Sequence, residues 1–452
     1  MRISDLKISI SGIRGIVGES LTPQLLIKFS EAFASYIGRG EIAVASDTRP
    51  SAEMVRCAVL AGLLSCGAEP LDLGILPIPS LQIYVQEKKL HGAVSITASH
   101  NPVEWNALKL IKSGGLFLSP YEAEELLDYY YQGRFRRVPE PERIEAEENP
   151  FVIHAQKIRR AGRLDAITKR RPMVVVDPCA GAASPYVRGF LEGLGAEVIC
   201  IHCETGKGFP RNPEPVAANL GKLCHAVRQA GADIGFAQDA DADRLAVVDE
   251  KGRPIGEEYT LALAVDYFLA EREKSPVVVN LSTSRVIDDI ARCRGVPLFR
   301  TRVGEINVTR KMREVDAFIG GEGNGGIIWA EIHTCRDSFS GMALILEYLA
   351  SSGKTVSELR SRLPDYIMLK DKVKASFRDR KRILERLSRR FPKGESDRQD
   401  GLRIVYPEFW FHVRPSNTEP VMRMQVEAGQ EDLAREIFGQ IKAEINSSRS
   451  DR

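Results

Sequence analysis

The sequence has no long apolar run, no grouped cysteines and almost no net charge. No stretch reaches the roughly 18 consecutive apolar residues of a membrane-spanning helix, and Met1-Arg-Ile-Ser-Asp-Leu-Lys7 contains no apolar signal-peptide core. No membrane association is expected. The eight cysteines (57, 66, 179, 200, 203, 224, 293 and 335) are scattered through the chain, which excludes a disulfide framework and suits a reducing, cytoplasmic setting. Cys200-Ile-His-Cys203 lies in an apolar strand-like run with no second pair at ligand spacing, so a closed four-ligand zinc site is not expected. Lys and Arg total 63 against 61 Asp and Glu, a balance of +2, and no global field would recruit nucleic acid. The basic runs at 134–137, 169–171 and 378–382 read as solvated faces.

What is present is ordinary globular composition, 43% hydrophobic and 27% charged over 452 residues. At about 100–200 residues per domain the chain should divide into three or four. Apolar strand-like runs at 42–46, 93–96, 172–177, 233–237, 277–281, 297–301 and 317–320 alternate with helical periodicity at 23–37, 54–66, 121–132, 217–229, 259–271, 285–294 and 305–312. That alternation predicts βαβ units and largely parallel sheets. A charged, proline-rich stretch at 137–150 marks a first boundary. The predicted domains are 1–150, 151–255, 256–368 and a smaller α+β domain at 369–452. A hinge is expected near 365–375.

Five polar stretches interrupt the apolar pattern. Thr97-Ala-Ser-His-Asn-Pro102 follows the strand-like run 93–96 and is read as a polar turn, with Lys109 ten residues beyond Ser99. In open α/β sheets, ligands bind outside the carboxyl ends of strands. Gln238-Asp-Ala-Asp-Ala-Asp-Arg244 places three carboxylates at i, i+2 and i+4 with a single following cation. Like charges so close destabilise a fold unless a cation holds them. Oxygen ligands with room left for phosphate suit Mg²⁺. Gly321-Glu-Gly-Asn-Gly-Gly326 opens no helix and is no dinucleotide fingerprint; Glu322 and Asn324 there suit hydroxyl-rich ligands. Arg414-Pro-Ser-Asn-Thr-Glu-Pro-Val-Met-Arg423 is donor-rich and suits a phosphate dianion. Ser11-Gly-Ile-Arg-Gly15 offers Arg14 between glycines that let backbone approach a ligand. The stretches 91–99, 231–239 and 315–322 each run from a short strand into such a loop, which suggests one α/β unit repeated three times.

Taken together, Gly-Ile-Arg-Gly at 12–15, Thr-Ala-Ser-His-Asn-Pro at 97–102, Asp-x-Asp-x-Asp-Arg at 239–244 with the Gly-Glu loop at 321–326, and Arg-x-Ser-Asn-Thr at 414–418 resemble the α-D-phosphohexomutase family. The resemblance covers essentially the whole chain. It implies three similar mixed-sheet α/β/α domains and a smaller α+β C-terminal domain around a central cleft. It also implies an isomerase that moves phosphate between O1 and O6 of a hexose through a hexose 1,6-bisphosphate, which also serves as activator. Ser99 would be the phosphoserine. Ser99, Asp239, Asp241 and Asp243 would hold one Mg²⁺ per chain, while Arg14, His100, Lys109 and Arg244 would act at the transferring phosphate, with Lys109 as general acid/base beside cations. Glu322 and Asn324 would read sugar hydroxyls; Arg414, Ser416, Asn417, Thr418 and Arg423 would hold the distal phosphate. A small-molecule sugar phosphate is the implied partner, and a monomer or homodimer the implied assembly.

Two departures bear on the sugar. Relatives write Asn-Gly-x-Lys where this chain has Asn106-Ala-Leu-Lys109, and the sugar loop ends in Gly326 where they place a histidine. His333 or Arg336 is a candidate replacement. Trp105-Asn-Ala-Leu-Lys109 with Gly-Glu-Gly-Asn-Gly-Gly looks most like the phosphoglucosamine mutase branch, with phosphoglucomutase or phosphomannomutase as the alternative. A phosphoserine hydrolase and a non-catalytic sugar-phosphate sensor are the remaining alternatives.

Overall fold

The computed structural model describes residues 6–9, 12–416 and 421–447. The chain forms two compact units, one comprising the residues up to Phe268 with Asn324–Arg360, the other Leu269–Gly323 with Ser361–Arg452.

In the first unit, strand Glu41–Ser46 lies between the parallel strands Glu69–Ile75 and Gly92–Ile96. Trp105–Lys112 then runs antiparallel to Gly92–Ile96, and Gly12–Ile16 antiparallel to Trp105–Lys112. All five residues of Gly92–Ile96 are buried, as expected of a strand covered on both faces. Helices Pro23–Ile37 and Ala52–Ser65 cover this sheet through Leu26, Phe29, Phe33, Val55, Val59 and Leu63. A second sheet repeats the plan. Met173–Asp177 lies between parallel Glu197–Cys200 and Ile234–Gln238, and Leu245–Asp249 returns antiparallel to Ile234–Gln238.

In the second unit, Val277–Asn280 lies between parallel Leu298–Thr301 and Ile319–Glu322. The parallel trio therefore occurs three times, and each time its third strand in chain order enters one of the polar loops. The same unit contains the C-terminal antiparallel sheet, in the order Ile367–Lys374, Val421–Ala428, Phe409–Pro415, Leu402–Val405, Glu395–Asp397. Helices Arg380–Arg390 and Glu431–Ser447 pack on its apolar face through Ile383, Leu387, Ile437, Ile441 and Ile445, a helical stripe of the expected spacing.

Several elements differ from the sequence expectation. Residues 105–112, given no element from the sequence, form a strand, so Lys109 sits on Trp105–Lys112 opposite Ser95. Buried Asn106 and Lys109 interrupt its apolar pattern and hide it. The Gly-Ile-Arg-Gly stretch is also a strand, and its glycines sit where segments pack closely. A Cβ on Gly12, at φ +106°, would meet Leu108 O at 1.9 Å, and one on Gly15 would meet Ser20 Oγ at 2.6 Å. Gly12→Ala is expected to cost more than about 2 kcal/mol, because strain and overpacking add; a thermal midpoint within a degree of wild type would contradict this. Strand Glu69–Ile75 and helices Ile78–Lys88 and Phe151–Ala161 give no clear sequence signal, the first two because Pro70, Pro77 and Pro79 mask them. The expected hinge at 365–375 lies inside the second unit, where Ile367–Lys374 pairs along its whole length with Val421–Ala428. The chain passes between units at 268–269, 323–324 and 360–361. Among the described residues, no helix is long and apolar enough to cross a membrane.

Candidate active site

The first unit brings Ser99, His100, Lys109, Arg14, Arg244 and the three aspartates together. Ser99 follows strand Gly92–Ile96, is 4% exposed and has φ +51°, a conformation uncommon outside glycine. Its Oγ donates to Asp239 Oδ2 at 2.8 Å and lies 3.3 Å from His100 Nδ1. The aspartates occupy the turn between antiparallel strands Ile234–Gln238 and Leu245–Asp249. Ala240 and Ala242 are fully buried, with Ala242 at φ +60°. Ala242 O accepts from Ser338 Oγ at 2.7 Å, Asp241 O from Ile78 N at 3.1 Å, and Ala240 O from Ala182 N at 2.8 Å. Three separate segments thus fix the loop.

Cations reach these carboxylates from distant segments, which the single following arginine did not suggest. Lys109 Nζ donates to Asp241 Oδ2 at 2.6 Å and lies 3.9 Å from Asp243. Arg336 donates to Asp243 Oδ2 at 2.5 Å, and Arg244 Nε lies 3.7 Å from Asp243 Oδ1. Lys109, expected beside cations, therefore has carboxylates as its nearest partners. Burial, then the charges of Asp243 and Asp241, push the Asp239 carboxyl well above its ordinary range. Burial also acts to raise Asp241, but Lys109, by charge and hydrogen bond, together with Asp239 and Arg336 holds it below its ordinary range. Arg244, burial and Arg14 hold His100 well below its ordinary value, so its imidazole is neutral near pH 7. Arg14 donates to Asn101 Oδ1 at 2.6 Å, and burial lowers its guanidinium.

The aspartates fit a divalent cation. One carboxylate oxygen from each of Asp239, Asp241 and Asp243 lies within 4.8 Å of the others, the one such His/Cys/Asp/Glu group among the described residues. Asp241 Oδ1 and Asp243 Oδ1 are buried without a hydrogen-bond partner there. Buried acceptors without donors are costly, and a hard cation bound by oxygen removes that cost. Cys200 and Cys203 form no such group, and His202 Nδ1 instead meets Asp177 Oδ2 at 3.0 Å.

The second unit holds Glu322, Arg414, Ser416 and Arg423. Glu322 Oε1 accepts from Asn280 Nδ2 at 2.8 Å and Gly304 N at 2.9 Å. Arg414 and Arg423 face each other on adjacent strands, and burial lowers the Arg414 guanidinium. Ser416 is 3% exposed beside them. Asn417 and Thr418 lie outside the described residues. Asn324 belongs to the first unit, where its Oδ1 accepts from Gly326 N at 3.1 Å and closes its own turn. At Gly326, where the resemblance expects histidine, a Cβ would meet Arg336 Cδ at 2.3 Å. The stem of Arg336 occupies that space, while His333 Nε2 lies 3.3 Å from Gly114 O.

Sequence reasoning missed Asp47, Arg49 and Thr97. Thr97 Oγ1 donates to Asp47 Oδ2 at 2.7 Å, and Arg49 pairs with Asp47 at 2.9 Å. The available signal was Asp47-Thr-Arg49 directly following a buried strand, the same context as the other polar loops.

A buried serine thus lies against a buried carboxylate loop on repeated α/β sheets. Phosphoglucomutase/phosphomannomutase α/β/α domains I, II and III match residues 6–137, 150–252 and 256–366, and the C-terminal domain of that family matches 358–444. A phosphoglucomutase/phosphomannomutase of Thermococcus kodakarensis is 37% identical over 436 residues, covering 94% of this chain and 95% of the relative. A probable phosphoglucosamine mutase of Methanopyrus kandleri is 36% identical over 433 residues, covering 94% and 95%. The crystal structure of a phosphoglucomutase/phosphomannomutase family protein from Burkholderia thailandensis superposes with a TM-score of 0.83 at 23% identity, covering 98% of this chain and 99% of that one. The chain belongs to the phosphoglucomutase/phosphomannomutase family, a family of isomerases.

Proposed function

We propose that the protein interconverts hexose 6-phosphate and hexose 1-phosphate through a phosphorylated Ser99, with glucosamine phosphate as the preferred sugar. The observation that carries this is the Ser99 Oγ, 2.8 Å from Asp239 within a group of buried carboxylates. Asp239, Asp241 and Asp243 would hold Mg²⁺, which supplies charge neutralisation at the phosphoryl oxygens when bound. In the first half-reaction the Ser99 Oγ–P bond breaks as a sugar hydroxyl oxygen bonds to phosphorus, and the hydroxyl proton passes to Ser99 Oγ. The resulting bisphosphate returns its other phosphoryl group to Ser99 in the second, so no water is consumed. Lys109 is the proton carrier this reading assigns, and Arg14 with Arg244 would balance charge on the moving group. His100, neutral, offers a hydrogen bond without adding charge. Glu322 would read the sugar, and Arg414, Ser416 and Arg423 the phosphate that does not react.

The sugar choice rests on the residues around Trp105-Asn-Ala-Leu-Lys109 and on the name of the Methanopyrus relative. Arg336 would stand in for the family histidine at Gly326, consistent with the space its stem fills. With Mg²⁺ and hexose 1,6-bisphosphate, kcat/KM on glucosamine 6-phosphate is expected to exceed that on the glucose and mannose phosphates by about tenfold or more, since a site that hydrogen-bonds one substrate group rejects analogues lacking it. A preference for glucose or mannose phosphate would overturn the sugar assignment, and inactivity on all three the mutase reading.

A further inference from the structure

We propose that Arg49 is a positioning residue for phosphoryl transfer, acting with Asp47 and Thr97 to fix both sides of the Ser99 backbone; this rests on reading Ser99 as the phosphate carrier. Arg49 is 2% exposed and Asp47 1%. A guanidinium has five N–H donors in a planar fork, and here all five are used. Nε pairs with Asp47 Oδ2 at 2.9 Å. Nη2 donates to Ser99 O at 2.6 Å and Asn101 O at 2.9 Å. Nη1 donates to Pro102 O at 2.6 Å and Trp105 O at 3.0 Å. The loop from Ser99 to Trp105 is thus gathered around one side chain.

The other side of Ser99 is held by the same ion pair. Ser99 N donates to Thr97 Oγ1 at 2.9 Å, and Thr97 Oγ1 donates to Asp47 Oδ2 at 2.7 Å. Hydrogen bonds therefore run in a closed ring from the Ser99 carbonyl through Arg49, Asp47 and Thr97 back to the Ser99 amide. That ring holds a non-glycine residue at φ +51°, a conformation that persists only where surroundings enforce it. None of the three side chains bonds the Ser99 hydroxyl, and Thr97 Oγ1 also lies 3.3 Å from Asp241 Oδ2. Among the described residues, Arg49 has no hydrogen bond or ion pair with the aspartate loop and acts on where Oγ points, which is at Asp239. Lysine at position 49 would keep the charge and lose the fork, because an ammonium on a flexible stem cannot serve five converging acceptors.

The test is a single-turnover phosphorylation of the full, dephosphorylated chain by glucose 1,6-bisphosphate with Mg²⁺, followed by intact mass. Loss of fold lowers the amplitude of such a reaction, whereas misplacement of Ser99 lowers its rate constant. Arg49→Lys is expected to slow the rate constant about 100-fold, the scale of a misplacement near 1 Å, and Thr97→Val about 10-fold, while Val59→Ala, a cavity in the core of the same sheet, loses thermal stability and keeps the wild-type rate constant. If Arg49→Lys does not fold, Thr97→Val carries the test. Wild-type rate constants in the folded clamp variants, or an equal slowing in Val59→Ala, would overturn the proposal. A wild-type chain that takes no phosphate at Ser99 would instead overturn the functional reading beneath it.

Discussion

Ser99→Ala is expected to lower kcat by at least about 10⁴-fold, because removing a covalent carrier leaves only the catalysis due to binding and local charge. The fold should survive. The Cβ is retained, so the left-handed backbone at this position, φ +51°, is no more strained than before. What is lost is the hydrogen bond to Asp239, worth about 1 kcal/mol, and the thermal midpoint should fall by no more than about 4 °C. The same variant should take up no phosphate from hexose 1,6-bisphosphate. Full turnover in a folded Ser99→Ala chain would remove the phosphoserine from the mechanism.

Asp241→Asn is the second variant with a large expected effect. Mg²⁺ at 100 times its dissociation constant should stabilise the wild-type chain by about 2.7 kcal/mol through mass action, and addition of a chelator should reverse the gain. In Asp241→Asn one of three converging carboxylates becomes a weaker, neutral ligand, and Lys109 loses the counter-charge 2.6 Å away. Mg²⁺ should then raise the thermal midpoint little or not at all, and turnover should fall by about 10³-fold or more, in line with loss of preorganised charge stabilisation. The metal-free stabilities of the two chains are a poor guide, since lost pairing with Lys109 and relieved repulsion from Asp239 and Asp243 oppose each other. An unchanged Mg²⁺-dependent shift in the variant would argue that the ion binds elsewhere.

The candidate loops were legible because each is short, local and set between apolar runs. Thr97-Ala-Ser-His-Asn-Pro102 and Asp239-Ala-Asp-Ala-Asp-Arg244 stand out against buried strands on composition alone. Their neighbours did not. Arg49 lies 50 positions from Ser99 and Arg336 lies 93 from Asp243, and no periodicity links such pairs. The same distance hid the cations on the aspartate loop, which from the sequence seemed to have only Arg244. The close passage of Leu108 O at Gly12 and of Ser20 Oγ at Gly15 exists only once the chain is folded.

The sequence by itself determined the α/β class, the threefold recurrence of strand and polar loop, and the serine, aspartate and arginine stretches. These follow from short-range patterning, which a single segment contains in full. Only the tertiary structure decided that Lys109 rides a strand against Asp241 and that Arg336 fills the space beside Gly326. It also decided that the Ser99 backbone is closed into a ring through Arg49, Asp47 and Thr97. Those facts depend on which distant segments pack together and in what register, and packing of that kind is written in no one stretch of the chain.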